Sequence, residues 1–147
     1  MNLVEQLDKD MIEAMKAHEK ERLTVIREVK AGLKQANIDL KKEINDDLVV
    51  EVVSRWIKTR KESIKEFEKG NRNDLVEKTQ FEIDVLSKYL PEQLSIEEIN
   101  KIIDQVFDEV KPESAKDMGK IMGKITPLVK GKADMGLVST LIRTKLN

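Results

Sequence analysis

The sequence contains no cysteine and a single histidine, His18, among its 147 residues. The absence of cysteine excludes disulfide bonds, thiol chemistry and thiolate-bound metals, and one histidine cannot build a multi-histidine metal site. Aromatic residues make up only 3% of the chain, so a core must be aliphatic. We therefore predict neither a metal ion nor a cofactor.

Long apolar runs are also missing. No stretch approaches the roughly 18 apolar residues that a membrane-spanning helix needs. The opening MNLVEQLDKD has neither the basic lead nor the apolar segment of a signal peptide. We expect a cytoplasmic protein that does not contact a membrane.

Catalytic motifs are absent as well. His18 lies in the charged run KAHEKE, where solvation explains it, and the many acidic residues include no distinctive acid–base pair. The Gly-x-Ser-x-Gly nucleophile motif does not occur. The chain therefore shows no catalytic constellation of its own, and the sequence does not decide whether it takes part in an enzymatic reaction.

What the sequence does contain is charge and helical periodicity. Charged residues make up 37% of the chain, with six glycines and three prolines, a composition that favours an all-helical protein. Apolar residues spaced by three and four predict helices over residues 3–17, 20–44, 48–69 and 75–90. Asn45 and its two following aspartates offer an N-cap, and Gly70 is expected to be a left-handed C-cap.

The pattern changes at LPEQLS, residues 90–95. Ser95 and Glu98 predict a capping box, Ser114 with Asp117 is predicted to cap a further helix, and a last helix begins near Asp134. The last helix is expected to bury Leu137, Val138, Leu141, Ile142 and Leu146. We predict an all-α, multihelical fold with an N-terminal part of about four helices (1–90), a linker (91–94) and a three-helix C-terminal part (95–147).

Charge is segregated in the C-terminal part. Residues 116–147 carry seven Lys or Arg and two Asp or Glu, a net charge of +5, whereas residues 95–115 carry a net charge of −4. The basic segment includes MGKIMGKITPLVKGKADMG, residues 118–136. A nucleotide-binding loop needs four residues between its glycines, Ser or Thr after the lysine, and a preceding strand. Here three residues separate Gly119 from Gly123, and Ile125 follows Lys124, so that interpretation fails.

As a helix, the same segment separates into two sides at about 100° per residue. Met118, Ile121, Met122, Ile125, Leu128 and Val129 gather on the apolar side. Lys116, Lys120 and Lys124 lie roughly opposite, with Gly119 and Gly123 beside them. Two interpretations stay open: a helix–helix contact at a Gly-x-x-x-Gly notch, or a polyanion lying along the lysines. Pro127 is expected to kink or end the helix.

The basic turn KGKAD, residues 130–134, extends this candidate surface. Lysines that neutralise phosphates give salt-dependent, largely sequence-independent binding. The predicted nucleic-acid contacts are Lys116, Gly119, Lys120, Gly123, Lys124, Lys130, Gly131, Lys132, Arg143 and Lys145.

A second basic run, RWIKTRK, covers residues 55–61. It predicts a weaker basic stripe made of Arg55, Lys58, Lys61 and Lys65, with nearby glutamates reducing its field. Trp56 falls on the apolar side and is expected in the core. Arg60 also points to that side, where it either lies over Trp56 as a cation–π partner or reaches the C-terminal part.

Several segments resemble the YqeY-like (GatB/YqeY) family. They are AMK (14–16), RLTVIR (22–27), GNRNDLVEK (70–78), YLPEQLS (89–95) and, most distinctively, KDMGKIMGKITPLVKGKADMGLVS (116–139). The C-terminal part is also similar to the tail domain of the B subunit of the tRNA-dependent Asp/Glu amidotransferase, which uses glutamine as nitrogen donor. KTQFE (78–82) departs from the family's Glu-rich pattern and leaves Glu82 as the matching acid.

The resemblance implies an all-α fold in two parts and an association with tRNA. It also implies a family link to carbon–nitrogen ligase activity with glutamine as amido donor, although the catalytic domain of the amidotransferase has no counterpart here. The first hypothesis is a tRNA-binding or tRNA-associated helical module. The alternative is a protein-interaction adaptor or accessory subunit, and any enzymatic role would be that of an accessory to such an amidotransferase.

Overall fold

A computed structural model describes residues 2–147, and every regular element within that range is a helix. The predicted all-α, multihelical class is confirmed. The chain divides into two compact units, the first ending at Leu90 and the second spanning Pro91–Asn147.

The first unit contains four helices: α1 (Leu3–Lys16), α2 (Lys20–Leu40), α3 (Asp46–Lys69) and α4 (Asn73–Ser87). Asn2 caps α1 by accepting from the Glu5 N–H at 2.8 Å, and Asn45 caps α3 by accepting from the Leu48 N–H at 3.0 Å. The predicted Asn45 cap is thus confirmed. The core is almost entirely aliphatic, as the shortage of aromatics required: Leu7, Ala14, Val25, Ile26, Val29, Leu33, Leu48, Val49, Val52, Val53, Ile57, Ile83, Val85, Leu86 and Tyr89.

Three predictions about helix termini in this unit are wrong, although α3 ends at Lys69 as predicted. Helix α4 ends at Ser87 instead of residue 90. Helix α2 stops at Leu40 instead of continuing to Ile44, because Lys41 adopts a left-handed conformation with φ 53°. The side chain of Asn37 then donates to the Lys42 carbonyl at 2.8 Å, and Leu40 and Ile44 are exposed. Gly70 is not left-handed, since its φ is −87°; Asn71, with φ 54°, takes that position.

The second unit contains α5 (Ile96–Val110), a 3₁₀ turn (Ala115–Asp117), α6 (Met118–Val129) and α7 (Met135–Leu146). The capping box of Ser95 and Glu98 is present, and Asp134 caps α7. Eight residues form the core, each fully or almost fully buried: Ile99, Ile103, Val106, Ile121, Ile125, Val129, Val138 and Ile142.

Two burial expectations and one cap in the second unit need correction, since the Asp117 side chain makes no capping bond to α6. Of the two expectations for Pro127, a kink or an end, the structure rules out the end, because α6 continues for two more residues to Val129. Leu128 and Leu137 are exposed instead of buried, at 51% and 37%. The fully buried side of α6 is a narrow row at every fourth residue, and the three-helix core covers Met118 and Met122 only in part.

Candidate nucleic-acid interface

The outer side of α6 is made of lysine and glycine. From residue 116 to 124, every exposed residue is one or the other: Lys116, Gly119, Lys120, Gly123 and Lys124, here called the α6 face. Spacing of three and four places the four that belong to α6 on one side of the helix, and Lys116 precedes them in the 3₁₀ turn. The opposite side supplies Ile121, Ile125 and Val129, none of which is accessible to solvent. Burial of these three side chains therefore fixes the direction in which the lysines point.

The two glycines of the α6 face are open to solvent. A Cβ placed on Gly119 or Gly123 would meet no atom within 4 Å outside the backbone of its own helix. No packing within the described residues therefore requires either glycine. Two helical glycines cost about 1 kcal/mol each relative to alanine, which favours a role in contact with something outside the chain.

The lysines of the α6 face differ in their acidic neighbours. Lys120 Nζ lies 3.7 Å from Asp117, and Lys124 Nζ lies 3.6 Å from Glu109. Asp117 also accepts from the Glu113 N–H, and this bond, together with Lys120, lowers the pKa of its carboxyl. Both lysines and Glu109 are exposed and Asp117 is half-buried, and ion pairs at the surface contribute little energy. A phosphate could therefore displace them at small cost.

The basic turn, residues 130–132, follows α6 directly. Lys130 and Lys132 are exposed, and neither has an acidic group within the 4.0 Å ion-pair limit among residues 2–147. Gly131 adopts φ 76°, a conformation that glycine takes without steric cost. The turn thus places two unpaired positive charges directly after the C-terminal end of α6.

Arg143 and Lys145, predicted as further contacts, lie in the last turn of α7. Arg143 is exposed and lines a shallow cavity of about 230 Å³. Lys145 forms an ion pair with Asp104, and its Nζ lies 4.9 Å from the ring centroid of Phe107. Of these two cations, only Arg143 has no acidic group within the 4.0 Å ion-pair limit in the described chain.

The second basic run lies on α3 in the first unit. Arg55, Lys58, Lys61 and Lys65 are exposed and are here called the α3 row. No ion pair within 4.0 Å involves them in residues 2–147. Glu62 and Glu66, also exposed, interrupt the row on the same helix. Its positive field is therefore weaker than that of the basic segment in the second unit.

Arg60 is separate from the α3 row because its side chain points inward. Its guanidinium carbon lies 5.6 Å from the ring centroid of Trp56, which confirms the predicted cation–π pair. The guanidinium also lies 3.5 Å from Glu28 and 3.4 Å from Glu82. Trp56 packs against the core of the first unit, as expected. Arg60 therefore joins α2, α3 and α4.

A buried polar cluster in the first unit was not predicted. Tyr89 donates to Asp10 Oδ2 at 2.5 Å, Gln6 donates to Asp10 Oδ1 at 2.8 Å, and Arg22 lies 3.6 Å from the same carboxylate. Burial, together with the Asp10 carboxylate, raises the pKa of Tyr89 far above its usual range. The sequence did contain a signal for this cluster, because Asp10 falls on the apolar side of α1 between Leu7 and Ala14.

The first residues of the second unit, 91–94, also make contacts that were not predicted. Gln93 Nε2 donates to the Gly131 carbonyl and Leu94 N–H donates to the Lys132 carbonyl, both at 2.9 Å. Residues 91–94 are thus bonded to the basic turn. No local pattern signals this contact, because about 38 residues separate the partners.

Residues 2–147 contain no group of three His, Asp or Glu that could hold a metal ion. Within the same range, no helix has the length and apolarity required to cross a bilayer.

Comparison with known proteins identifies the family. A family model described as Yqey-like protein matches residues 4–146, which confirms the resemblance seen in the sequence. The protein named "Altered inheritance of mitochondria protein 41, mitochondrial" from Lachancea thermotolerans is 38% identical over 91 residues, covering 61% of this chain and 49% of that protein. Its Kluyveromyces lactis namesake is 40% identical over 84 residues, covering 56% and 45%.

A further relative is the uncharacterized protein C22F3.15 of Schizosaccharomyces pombe. It is 32% identical over 94 residues, covering 64% of this chain and 76% of that protein. The matched region spans about half the length of the two mitochondrial relatives.

Proposed function

Because the chain belongs to the YqeY-like family, a helical family related to the amidotransferase B-subunit tail, we propose that it is a tRNA-binding module. Its second unit would dock on the phosphate backbone through the α6 face and the basic turn. The observation that carries this proposal is the composition of the α6 face, where every exposed residue from 116 to 124 is lysine or glycine. Exposed lysines supply charge, and glycines let a ligand approach the helix backbone closely.

The chemistry of such a surface suits a folded RNA. Phosphate contacts fix the position of a nucleic acid without reading its sequence, and the α6 face carries no aromatic ring on which a base could stack. RNA helices are recognised largely by shape and by their backbone. Binding would therefore depend strongly on salt and only weakly on which tRNA is offered. By this proposal the chain works in the compartment that holds its tRNA, which we expect to be the cytoplasm.

The test is a titration of fluorescent bulk tRNA by the full chain at 50 and 200 mM salt. With about four phosphate contacts, the higher salt should weaken binding by about 50- to 150-fold. Reversal of Lys116, Lys120 and Lys124 to Glu should abolish binding.

A matched control removes the same charge from the first unit, by reversal of the exposed Lys9, Lys34 and Lys78. It should retain most of the affinity. Negligible binding of the wild-type chain at low salt would overturn the proposal, and so would equal loss in the two triple variants.

The alternative is a protein-interaction adaptor. It is favoured by the exposed Leu128 at the end of the α6 face, where a partner helix could lie over the open glycines. Affinity capture with and without nuclease separates the two hypotheses. Partners that persist after nuclease treatment, and are lost on substitution of Gly123 by Leu, favour the adaptor.

An accessory role for a glutamine-dependent amidotransferase would be a special case of tRNA association. Adding the chain to such an enzyme should then change its rate or its apparent affinity for tRNA. No change in either quantity excludes this role and leaves simple tRNA binding intact.

A further inference from the structure

Residues 91–94 are bonded to the basic turn through both side-chain and backbone groups. Gln93 donates both hydrogens of its amide, to the Gly131 carbonyl and to the Pro91 carbonyl, each at 2.9 Å. The Leu94 N–H donates to the Lys132 carbonyl at 2.9 Å. Two consecutive carbonyls of the turn are therefore held by one short segment, here called the clamp (residues 91–94).

The basic turn has few other constraints. Within it, the Lys132 N–H donates to the Val129 carbonyl at 2.8 Å. Gly131 has φ 76° and, as a glycine, can adopt many other conformations. Without the clamp, the Gly131–Lys132 peptide would be held through its N–H alone, and the Lys132 carbonyl would lose the bond from Leu94. The clamp therefore selects one conformation of an otherwise adaptable turn.

The selected conformation suits an anionic ligand. The bonded carbonyl oxygens of Gly131 and Lys132 are the negative ends of their peptide groups, and they face the clamp instead of a ligand. The side chains of Lys130 and Lys132 are exposed. A site fixed in its binding conformation avoids the entropy cost of ordering it on association.

We propose that Gln93 is a positioning residue for phosphate binding, which holds the basic turn so that Lys130 and Lys132 engage one phosphate backbone together. This inference rests on the proposed function. It gives the first residues of the second unit, which begins at Pro91, a role in the site.

The test replaces Gln93 by Met, which keeps the length of the side chain and removes both donors. Gln80→Met is the matched control, since Gln80 is exposed and donates only to Asp84 on its own helix. For Gln93→Met we expect about a fivefold rise in the Kd for tRNA. The salt slope of log K should become shallower by about one unit, as one phosphate contact is lost.

Two further measurements distinguish positioning from a general effect on stability. Trypsin should cleave the full-length Gln93→Met chain faster after Lys130 and Lys132 than the wild type, with an unchanged melting temperature. In a Lys130→Gln, Lys132→Gln background, Gln93→Met should cause no further loss of affinity, because residues that act through one another are not additive.

The outcomes separate this inference from the proposed function. If the wild-type chain binds tRNA and Gln93→Met binds it with the same Kd and the same salt slope, the positioning role alone is overturned. The same holds if the loss of affinity caused by Gln93→Met adds fully to the loss caused by the two lysine substitutions. Absence of tRNA binding by the wild-type chain overturns the proposed function and the positioning role together. Faster tryptic cleavage in that case would still support the clamp as a structural feature of the turn.

Discussion

Replacing both glycines of the α6 face by alanine should stabilise the protein and weaken its binding to tRNA. In the folded state, a methyl group at Gly119 or Gly123 meets nothing within 4 Å, so neither substitution causes a clash. Neither glycine has a positive φ, so alanine fits the backbone. In a helix interior, alanine is favoured over glycine by about 0.5–1 kcal/mol.

The expected gain in the free energy of unfolding is therefore about 1–2 kcal/mol for the double variant. Gly123 should contribute more than Gly119, which lies in the first turn of α6. Urea unfolding followed by circular dichroism measures this gain.

The loss of affinity follows from distance. Each methyl keeps the ligand further from the helix, and at an effective dielectric constant of about 20 the attraction between unit charges falls from about 4 to about 3.3 kcal/mol when their separation grows from 4 to 5 Å. That difference corresponds to about a fourfold rise in Kd for each contact affected. The tRNA titration used for the lysine variants measures it.

Two results would refute this reasoning. A loss of stability would mean that the glycines pack against something in the folded protein. A gain in stability with unchanged tRNA affinity would mean that the open backbone of α6 does not meet RNA, and the glycines would then have to be explained by another partner.

Two further predictions concern the first unit. Gly32→Ala should cost about 1–3 kcal/mol of unfolding free energy, because its Cβ would lie 2.7 Å from Trp56 Cζ2; urea unfolding should give the opposite sign to that of the α6 variant. Tyr89→Phe should cost about 1.5–3 kcal/mol, since it removes a donor to the buried Asp10 carboxylate. The pKa of Tyr89 is raised in the folded state by burial and by Asp10, so its contribution is full below the unfolded-state pKa of about 10 and is lost as pH rises above it. The difference in unfolding free energy between wild type and Tyr89→Phe should therefore be smaller above about pH 10 than near neutral pH. A difference that does not change with pH would contradict the hydrogen bond from Tyr89 to Asp10 as its source.

Helix positions were predictable because burial repeats with the helical period. The error at the end of α2 shows the limit of that signal. Leu40 and Ile44 continue the apolar spacing, so the pattern predicts a helix to Ile44. The helix instead ends through the left-handed Lys41 and the bond from Asn37 to the Lys42 carbonyl. Backbone geometry of this kind leaves no mark in hydrophobic periodicity.

Periodicity also predicts which side of a helix faces the core better than it predicts how many residues on that side are buried. On α6 it correctly placed Ile121, Ile125 and Val129 inside, but it included Leu128, which is exposed. Width depends on how many helices surround the core, and a three-helix unit covers little. The extra apolar surface at Leu128 is what keeps a protein partner in consideration.

Composition predicted the residues of the candidate site, but it did not predict the residue that holds the basic turn in place. The lysines and glycines of residues 116–132 could be selected from charge and spacing alone. Gln93 could not, since its bond to Gly131 joins residues far apart in sequence. Asp10 lies between these cases, because a carboxylate on an apolar helix side requires a buried partner, although the pattern cannot identify Tyr89 as that partner.

Contacts within the second unit predict that its cations differ in value to an RNA ligand. Lys145 is already engaged by Asp104 and by the ring of Phe107. Binding a phosphate through Lys145 would first cost the exposed ion pair, about 0.2–1 kcal/mol, and the cation–π contact, about 0.5–1 kcal/mol. Lys132 has no acidic partner within the described residues and would bind at no such cost.

We therefore expect Lys132→Gln to raise the Kd for tRNA clearly more than Lys145→Gln does. Lys145→Gln should instead lower the free energy of unfolding by about 0.7–2 kcal/mol, since it removes both contacts. Paired tRNA titrations and urea unfolding of the two variants check this. Equal losses of affinity, with no loss of stability in Lys145→Gln, would show that RNA releases Lys145 from Asp104 without cost. Existing ion pairs would then be no guide to which lysines bind.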